Sequence, residues 1–317
     1  MTRVSIVGAG LIGKAWAVVF ARAGMDVALW DANEAVVKAA PADLSAMVSL
    51  LAERGLVDEP FERVAGRVRP FARLEEALEG ADLVQESGPE RLPVKQALFA
   101  DLDRLAPPSA ILASSSSALK VSSYTASLEG RARCLVAHPV NPPHLVPVVE
   151  LSPGPDTAPA TLDAAEAIYK RAGQVPVRLA REIDGFVLNR LQAVVLAEAL
   201  RLVDEGIVSV EGLDDTIKHG LGRRWAFMGP FETINLNAPL GVMDYAERFF
   251  PTMAALADDS ARGEAFTMTA AQKVAAHFGP APEAGEIRKA QEVRDARLAG
   301  LQAHLSAHFT DKTRKGG

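Results

Sequence analysis

Thiols are almost absent: Cys134 is the one cysteine in 317 residues, which excludes an internal disulfide. With no C-x-x-C, no H-E-x-x-H and six scattered histidines, the sequence gives no support for a metal site, and none is expected. A lone thiol suits a reducing compartment, so the expected location is cytoplasmic. Positive charge is also in short supply. Lys and Arg total 34 against 40 for Asp and Glu, giving a net charge of −6 and a pI near 5.6. A general nucleic-acid binder needs a basic face, so no nucleic-acid partner is expected. No uninterrupted apolar run approaches the roughly 18 residues of a membrane span, and no membrane partner is expected either. The first residues, to Gly24, have the outline of a signal peptide. Gly8, Gly10 and Gly13 interrupt that apolar stretch, however, and Lys14 sits in its middle. Internal repeats and low-complexity tracts are missing too.

Hydrophobic residues make up 49% and charged residues 23%, ordinary for a soluble globular chain. At roughly 150 residues per domain the length implies two domains. The first half alternates short β-rich runs with helical periodicity. Strands are predicted at 3–7, 26–30, 82–85, 110–113, 134–137, 146–151 and 175–179. Helices are predicted at 11–23, 92–105 and 158–172. That alternation is the pattern of βαβ units and a mostly parallel sheet, a Rossmann-like doubly wound α/β domain over residues 1–184. From Asp184-Gly185 onward the texture is helical, which predicts an all-helical C-terminal domain over 185–317. Residues 186–205 are apolar on several faces, the signature of a helix buried among others, with Asp184 as N-cap and Gly206 as terminator. A long final helix is predicted at 283–309, followed by a basic solvated tail at 312–317.

Gly8-Ala9-Gly10-Leu11-Ile12-Gly13 fits G-x-G-x-x-G and lies between a predicted strand and a predicted helix. In that setting Gly8 permits the tight turn, Gly10 lets backbone approach a pyrophosphate, and Gly13 lets helix and strand pack closely. Leu11 and Ile12 open the helix, whose free N–H groups face the phosphates. Asp31 ends the second strand 18 residues past Gly13. A carboxylate there accepts hydrogen bonds from ribose hydroxyls and repels a 2′-phosphate, and Ala32 and Asn33 bring no arginine to hold one. The predicted cofactor is NAD rather than NADP.

Three polar positions lie at or beyond the C-terminal ends of predicted strands, where α/β folds place chemistry: Ser114–Ser117, His138 in His138-Pro139-Val140-Asn141-Pro142, and Glu150 near the end of the predicted strand 146–151. Taken singly, each is as readily a flexible loop, a satisfied core histidine or a surface acid. Together with the glycine motif and Gly185-Phe186-Val187-Leu188-Asn189-Arg190, they occur in the order of the 3-hydroxyacyl-CoA dehydrogenase superfamily, which the chain resembles along nearly its whole length. Ser117 precedes His138 by 21 residues, similar to the family's catalytic pair.

The resemblance implies a hydride-transferring dehydrogenase. In it His138 is the general base, Glu150 orients and stabilises its ring, and Ser117 and Asn189 hydrogen-bond the reacting oxygen. It also implies Glu90 and Lys95 as cofactor contacts and a homodimer formed through the helical domain. The stretch from Leu221 to Ala238 resembles the branch that contains lambda-crystallin and L-gulonate 3-dehydrogenase, with L-carnitine dehydrogenase a relation. A small free hydroxy acid is therefore expected as substrate. Charge argues the same way. Members acting on acyl-CoA carry a lysine-rich arm after the second strand, whereas residues 32–66 here hold three basic residues against six acidic ones. An acidic arm is a poor partner for a polyphosphate ligand. A free carboxylate is best held by an arginine fork, for which Arg223 and Arg224 are the candidates. The alternatives are a 3-hydroxyacyl-CoA dehydrogenase with an atypical arm, or a non-catalytic, crystallin-like NAD-binding protein.

Overall fold

The computed structural model describes residues 2–260, 262–280 and 282–308. Eight strands run β1 (Arg3–Val7), β2 (Asp26–Trp30), β3 (Val68–Pro70), β4 (Leu83–Glu86), β5 (Ile111–Ser114), β6 (Cys134–Pro139), β7 (Val148–Pro153) and β8 (Val175–Arg178). The helices among them are α1 (Leu11–Arg22), α2 (Glu34–Glu53), α3 (Phe61–Ala65), α4 (Leu74–Leu78), α5 (Leu92–Leu105), α6 (Ser122–Thr125) and α7 (Pro159–Arg171). The strands form one sheet in the order β3-β2-β1-β4-β5-β6-β7-β8. All neighbours are parallel except β6 and β7, which are antiparallel. The chain winds outward in one direction through β2 and β3, then in the other from β4. The switch between β1 and β4 opens the crevice where such sheets bind ligands.

Because side chains alternate across a strand, each central strand feeds two cores. Ile6, Leu83, Ala113 and Leu135 join α1, α2 and α7 on one face. Val84, Leu112 and Val136 meet Phe99 and Leu102 of α5 on the other. Helix α1 is buried almost all round, from Gly13 to Ala21, because α2 covers the side that the sheet does not. Helix α2 is long and apolar enough to cross a membrane by length and composition. Its buried residues Val37, Ala40, Leu44, Val48 and Leu51 nevertheless recur at helical spacing, and they pack into the core. Cys134 is interior, and burial beside Asp103 pushes its thiol up to about 12, which leaves it unreactive near neutrality.

Two compact units are distinguished among the described residues: Thr2–Val187 together with Ala290–Ser306, and Leu188–Lys289 with Ala307 and His308. The second unit contains α8 (Leu188–Asp204), α9 (Val210–Thr216), α10 (Gly222–Trp225), α11 (Pro230–Leu236), α12 (Val242–Asp259), α13 (Met268–Phe278) and the start of α14 (Ala284–His308). The sequence assigned all of α14 to the helical part, yet Leu298 and the fully buried Ala299 pack in the sheet unit's core. Phe309 and the tail at 312–317 lie outside the described residues.

Two local expectations need correction. Helix α8 begins at Leu188, so Asp184 is too early to cap it, and its carboxylate pairs instead with Lys120 at 3.0 Å. Nor is α8 enclosed by other helices. Among its residues only Ala197 is buried, while Leu191 and Val194 are 62% and 64% exposed. Apolarity on several faces signals burial, and among the described residues α13 packs against α8 without enclosing it. Gly206 does end the helical segment in the left-handed region, at φ 73°.

Candidate active site

The glycine loop joins β1 to α1 at the sheet's switch point. Gly8 has φ 106°, a conformation glycine adopts without steric cost, and a Cβ there would meet the Ser87 backbone at 2.7 Å. A Cβ on Gly13 would lie 1.7 Å from the Gly8 carbonyl oxygen, so helix and loop approach too closely for any side chain. A Cβ on Gly10 would meet nothing within 4 Å. Backbone packing therefore requires Gly8 and Gly13, whereas Gly10 borders open space. Leu11 is exposed at the start of α1, and Ile12 packs against the core.

Beside the loop lies a cavity of about 950 Å³ lined by Gly8, Gly10, Asp31, Ser87, Val94 and Leu98 among others. One carboxylate oxygen of Asp31 accepts from the Ala9 N–H at 2.7 Å and the other from the Asn33 N–H at 2.8 Å. Each oxygen retains a lone pair for a ribose hydroxyl. Val94 and Leu98 give the cavity an apolar wall suited to a purine. The free first-turn N–H groups of α1, the space over Gly10 and the fixed acid together fit NAD.

Ser87 and Ser115 tie the neighbouring loops beneath this cavity. The Ser115 hydroxyl accepts from Trp16 Nε1 at 3.1 Å and Gln85 Nε2 at 2.8 Å, and lies 2.9 Å from Ser87 Oγ. Gln85 in turn accepts from the Tyr169 hydroxyl.

His138 and Glu150 are direct cross-strand partners in the β6–β7 register. Both are buried, and His138 Nδ1 lies 2.8 Å from Glu150 Oε2. With Nδ1–H donated to the carboxylate, Nε2 carries the free lone pair, as a general base requires. The second oxygen, Glu150 Oε1, accepts from the Val187 N–H at 2.9 Å. That contact fastens the segment where Gly185 and Phe186 both take positive φ, at 75° and 50°. A positive φ is unusual for phenylalanine. It sets the buried Phe186 ring 5.2 Å from the imidazole centroid. Phe186 thus belongs to the site. Its position in Gly185-Phe186-Val187-Leu188-Asn189-Arg190 carries no signal of that role, since the ring contact depends on the fold.

Ser117 is exposed on the loop after β5. Its neighbours are held by Glu90, which accepts from Ser116 Oγ at 2.5 Å, Ala118 N–H at 3.0 Å and Leu119 N–H at 3.2 Å. Partial burial pushes the Glu90 carboxyl up. The bonds from Ser116 and Ala118, the Lys95 charge and the Leu119 bond outweigh that and hold it below the usual carboxylate range. Lys95 is interior, 1% exposed, with its ammonium 2.7 Å from Glu86 and 3.6 Å from Glu90.

Asn189, Arg223 and Arg224 belong to the second unit. Asn189 lies in the first turn of α8. Arg223 and Arg224 are exposed on α10, after a π-helical turn at Ile217–Leu221. Arg223 lies 3.4 Å from His219 Nδ1, and Arg224 has no acidic partner among the described residues.

The family model for the NAD-binding domain of 3-hydroxyacyl-CoA dehydrogenase matches residues 3–183, and that for its C-terminal domain matches 185–276. The chain is 46% identical to the bovine lambda-crystallin homolog, over 96% of this chain and 90% of that protein. It is 38% identical to L-carnitine dehydrogenase of Burkholderia mallei, over 78% and 76%. Among solved structures, the NAD⁺-dependent dismutase 5-formyl-3-hydroxy-2-methylpyridine 4-carboxylic acid 5-dehydrogenase superposes with a TM-score of 0.84 at 25% identity, covering 96% of this chain and 99% of that one. Glycine loop, Asp31 and His–Glu pair thus stand in a chain that belongs to the 3-hydroxyacyl-CoA dehydrogenase family and takes NAD as its cofactor.

Proposed function

We propose that this dehydrogenase oxidises the 3-hydroxyl of a small free hydroxy acid, L-gulonate or a relative, to the 3-keto acid. The observation that carries the chemistry is the buried His138–Glu150 pair, whose geometry leaves Nε2 as the proton acceptor. His138 Nε2 takes the hydroxyl proton, and Glu150 at Nδ1 stabilises the imidazolium that forms. Phe186 holds the ring plane. Ser117 and, by its place in the family motif, Asn189 orient the reacting oxygen. Bound NAD supplies the hydride acceptor. Asp31, at the end of β2, selects it over NADP.

Two features favour a free acid over an acyl-CoA. The segment of α2 and α3 is acidic and a poor partner for a polyphosphate, since residues 32–66 carry three basic groups, Lys38 among them, against six acidic. Arg223 and Arg224 are the cations we assign to the substrate carboxylate. We further infer a homodimer. In the second unit only Ala197, Thr233, Ala238 and Ala270 are buried among the described residues. Leu191, Val194, Phe231, Leu240 and Met243 are largely exposed, and a second copy of the chain would cover such faces. The lone buried thiol accords with a cytoplasmic setting.

The deciding experiment is a panel of L-gulonate, L-carnitine, 3-hydroxybutyrate and 3-hydroxybutyryl-CoA, read as NADH formation and compared by kcat/KM. A free acid is expected to lead. A strong preference for the thioester would overturn the free-acid assignment, and no turnover of any of them would favour a structural role.

A further inference from the structure

Glu86 is the last residue of β4, in the middle of the sheet, paired with Val7 of β1 and Ser114 of β5. It is fully buried. Its carboxylate accepts from Lys95 Nζ at 2.7 and 3.0 Å, from Ser114 Oγ at 2.6 Å and from the Gly88 N–H at 2.6 Å. Lys95 is equally out of place. It occupies the core-facing stripe of α5 with Phe99 and Leu102, where an apolar side chain belongs. A buried ion pair is seldom more stabilising than apolar residues of similar size, so stability alone does not account for the arrangement.

What the pair does do is hold the neighbourhood of Ser117. Lys95 links Glu86 to Glu90, 3.6 Å away. Glu90 gathers the Ser116 hydroxyl and the Ala118 and Leu119 N–H groups, on both sides of Ser117. Ser114, bonded to Glu86, accepts from the Ser116 N–H at 3.2 Å. Loop backbone, Glu90, Lys95 and Glu86 thus form one polar chain, anchored on a central strand of the sheet.

We propose that Glu86 is a positioning residue: through Lys95 and Ser114 it fixes the loop that presents Ser117. The functional part of this inference rests on the role assigned to Ser117 above, while the loop tether does not.

The test uses the whole chain in two variants. Glu86→Gln keeps the size and removes the charge. Glu86→Leu with Lys95→Met removes both charges, and so guards against unfolding caused by an orphaned ammonium. Hydrogen exchange on the cofactor-free protein, read by mass spectrometry or NMR, should show the Ala118 and Leu119 amides exchanging about tenfold faster or more in both variants. The β1 amides of Val4 and Ile6 should stay at the wild-type rate. On the preferred substrate from the panel, kcat and kcat/KM should fall together by about a hundredfold, the scale of a misplaced orienting group.

Wild-type exchange at 118 and 119 in a folded variant would overturn the proposal, whatever happened to kcat. So would failure of both variants to fold, which would assign the cluster to stability. If Ser117→Ala kept full activity while the loop still loosened, the role given to Ser117 would fail and the tether would stand.

Discussion

At the scale of single residues, two buried histidines on or beside β6 divide the work of chemistry and stability. His138 has its Nδ1 committed to Glu150 and its face to Phe186. His138→Gln keeps a polar side chain of similar reach but takes no proton near neutral pH. Its kcat should fall by on the order of 10²–10⁴. NADH affinity, measured by fluorescence titration, should hardly change, because Gly8 and Asp31 follow other strands, β1 and β2. Retention of more than about a tenth of wild-type kcat would make His138 a packing residue.

His144 lies in the β6–β7 connection, and its Nδ1 has no partner. Burial, then the charges of Arg22 and Arg294, lower its pKa from the usual 6.5 to about 4. Between those values the unfolded chain binds a proton that the folded chain refuses, so acid favours unfolding. The contribution is complete above pH 6.5 and is lost as pH falls toward 4, a total of about 3 kcal/mol. Denaturant midpoints across that window should therefore decline more steeply in the wild type than in His144→Phe, and equal slopes would refute the assignment.

At the scale of elements, the strand–loop–helix at the N-terminus divides the labour of its glycines in a way that can be measured. Gly13→Ala puts a methyl 1.7 Å from the Gly8 carbonyl oxygen, which neither backbone can vacate without shifting α1. The melting temperature of the cofactor-free protein should drop, and NADH binding with it. Gly10→Ala meets no protein atom within 4 Å. Stability should then stay nearly unchanged while NADH affinity falls, because the methyl enters the space we assign to the phosphates. Equal losses of stability in both variants would contradict this.

These elements were legible in the sequence because their cues are local: strand, glycines, helix and terminal acid succeed one another within about thirty residues. Other parts were not. Strand β3 is three residues long and ends in Pro70, too short for a period to show. Strand β7 starts at Val148 rather than 146, since Leu145 and Val146 donate their N–H groups to the Pro142 carbonyl in a turn. The Glu86–Lys95 pair escaped because it depends on which face of β4 meets which stripe of α5. Neither segment displays that alone. The His138–Glu150 partnership was available only through family resemblance, because its antiparallel register depends on how residues 140–147 turn.

At the scale of the molecule, the sheet unit has an interior of its own, whereas few of the described residues of the helical unit are buried. A unit of about 100 residues without a core is marginal by surface-to-volume scaling. Sedimentation should find two chains per particle at micromolar concentration. Leu191→Glu combined with Val194→Glu, two exposed positions of α8, should shift it to one chain with loss of the helical unit's cooperative unfolding. A wild type that sediments as a single chain would remove the self-association reading and leave those faces without a partner.

One further consequence concerns synthesis. Residues 290–306 complete the interior of a unit whose other members all precede residue 188. The ribosome therefore makes residues 188–289 of the helical unit before it delivers the piece that closes the sheet unit. Until Leu298 and Ala299 emerge, the apolar floor beneath α1 and α7 stays open to solvent and to chaperones. A nascent chain stalled near residue 289 should accordingly remain protease-sensitive in its first half, although residues 1–289 have already been made. Resistance should return in a single step once residues 290–306 are free of the ribosome, a maturation signal built into the order of translation.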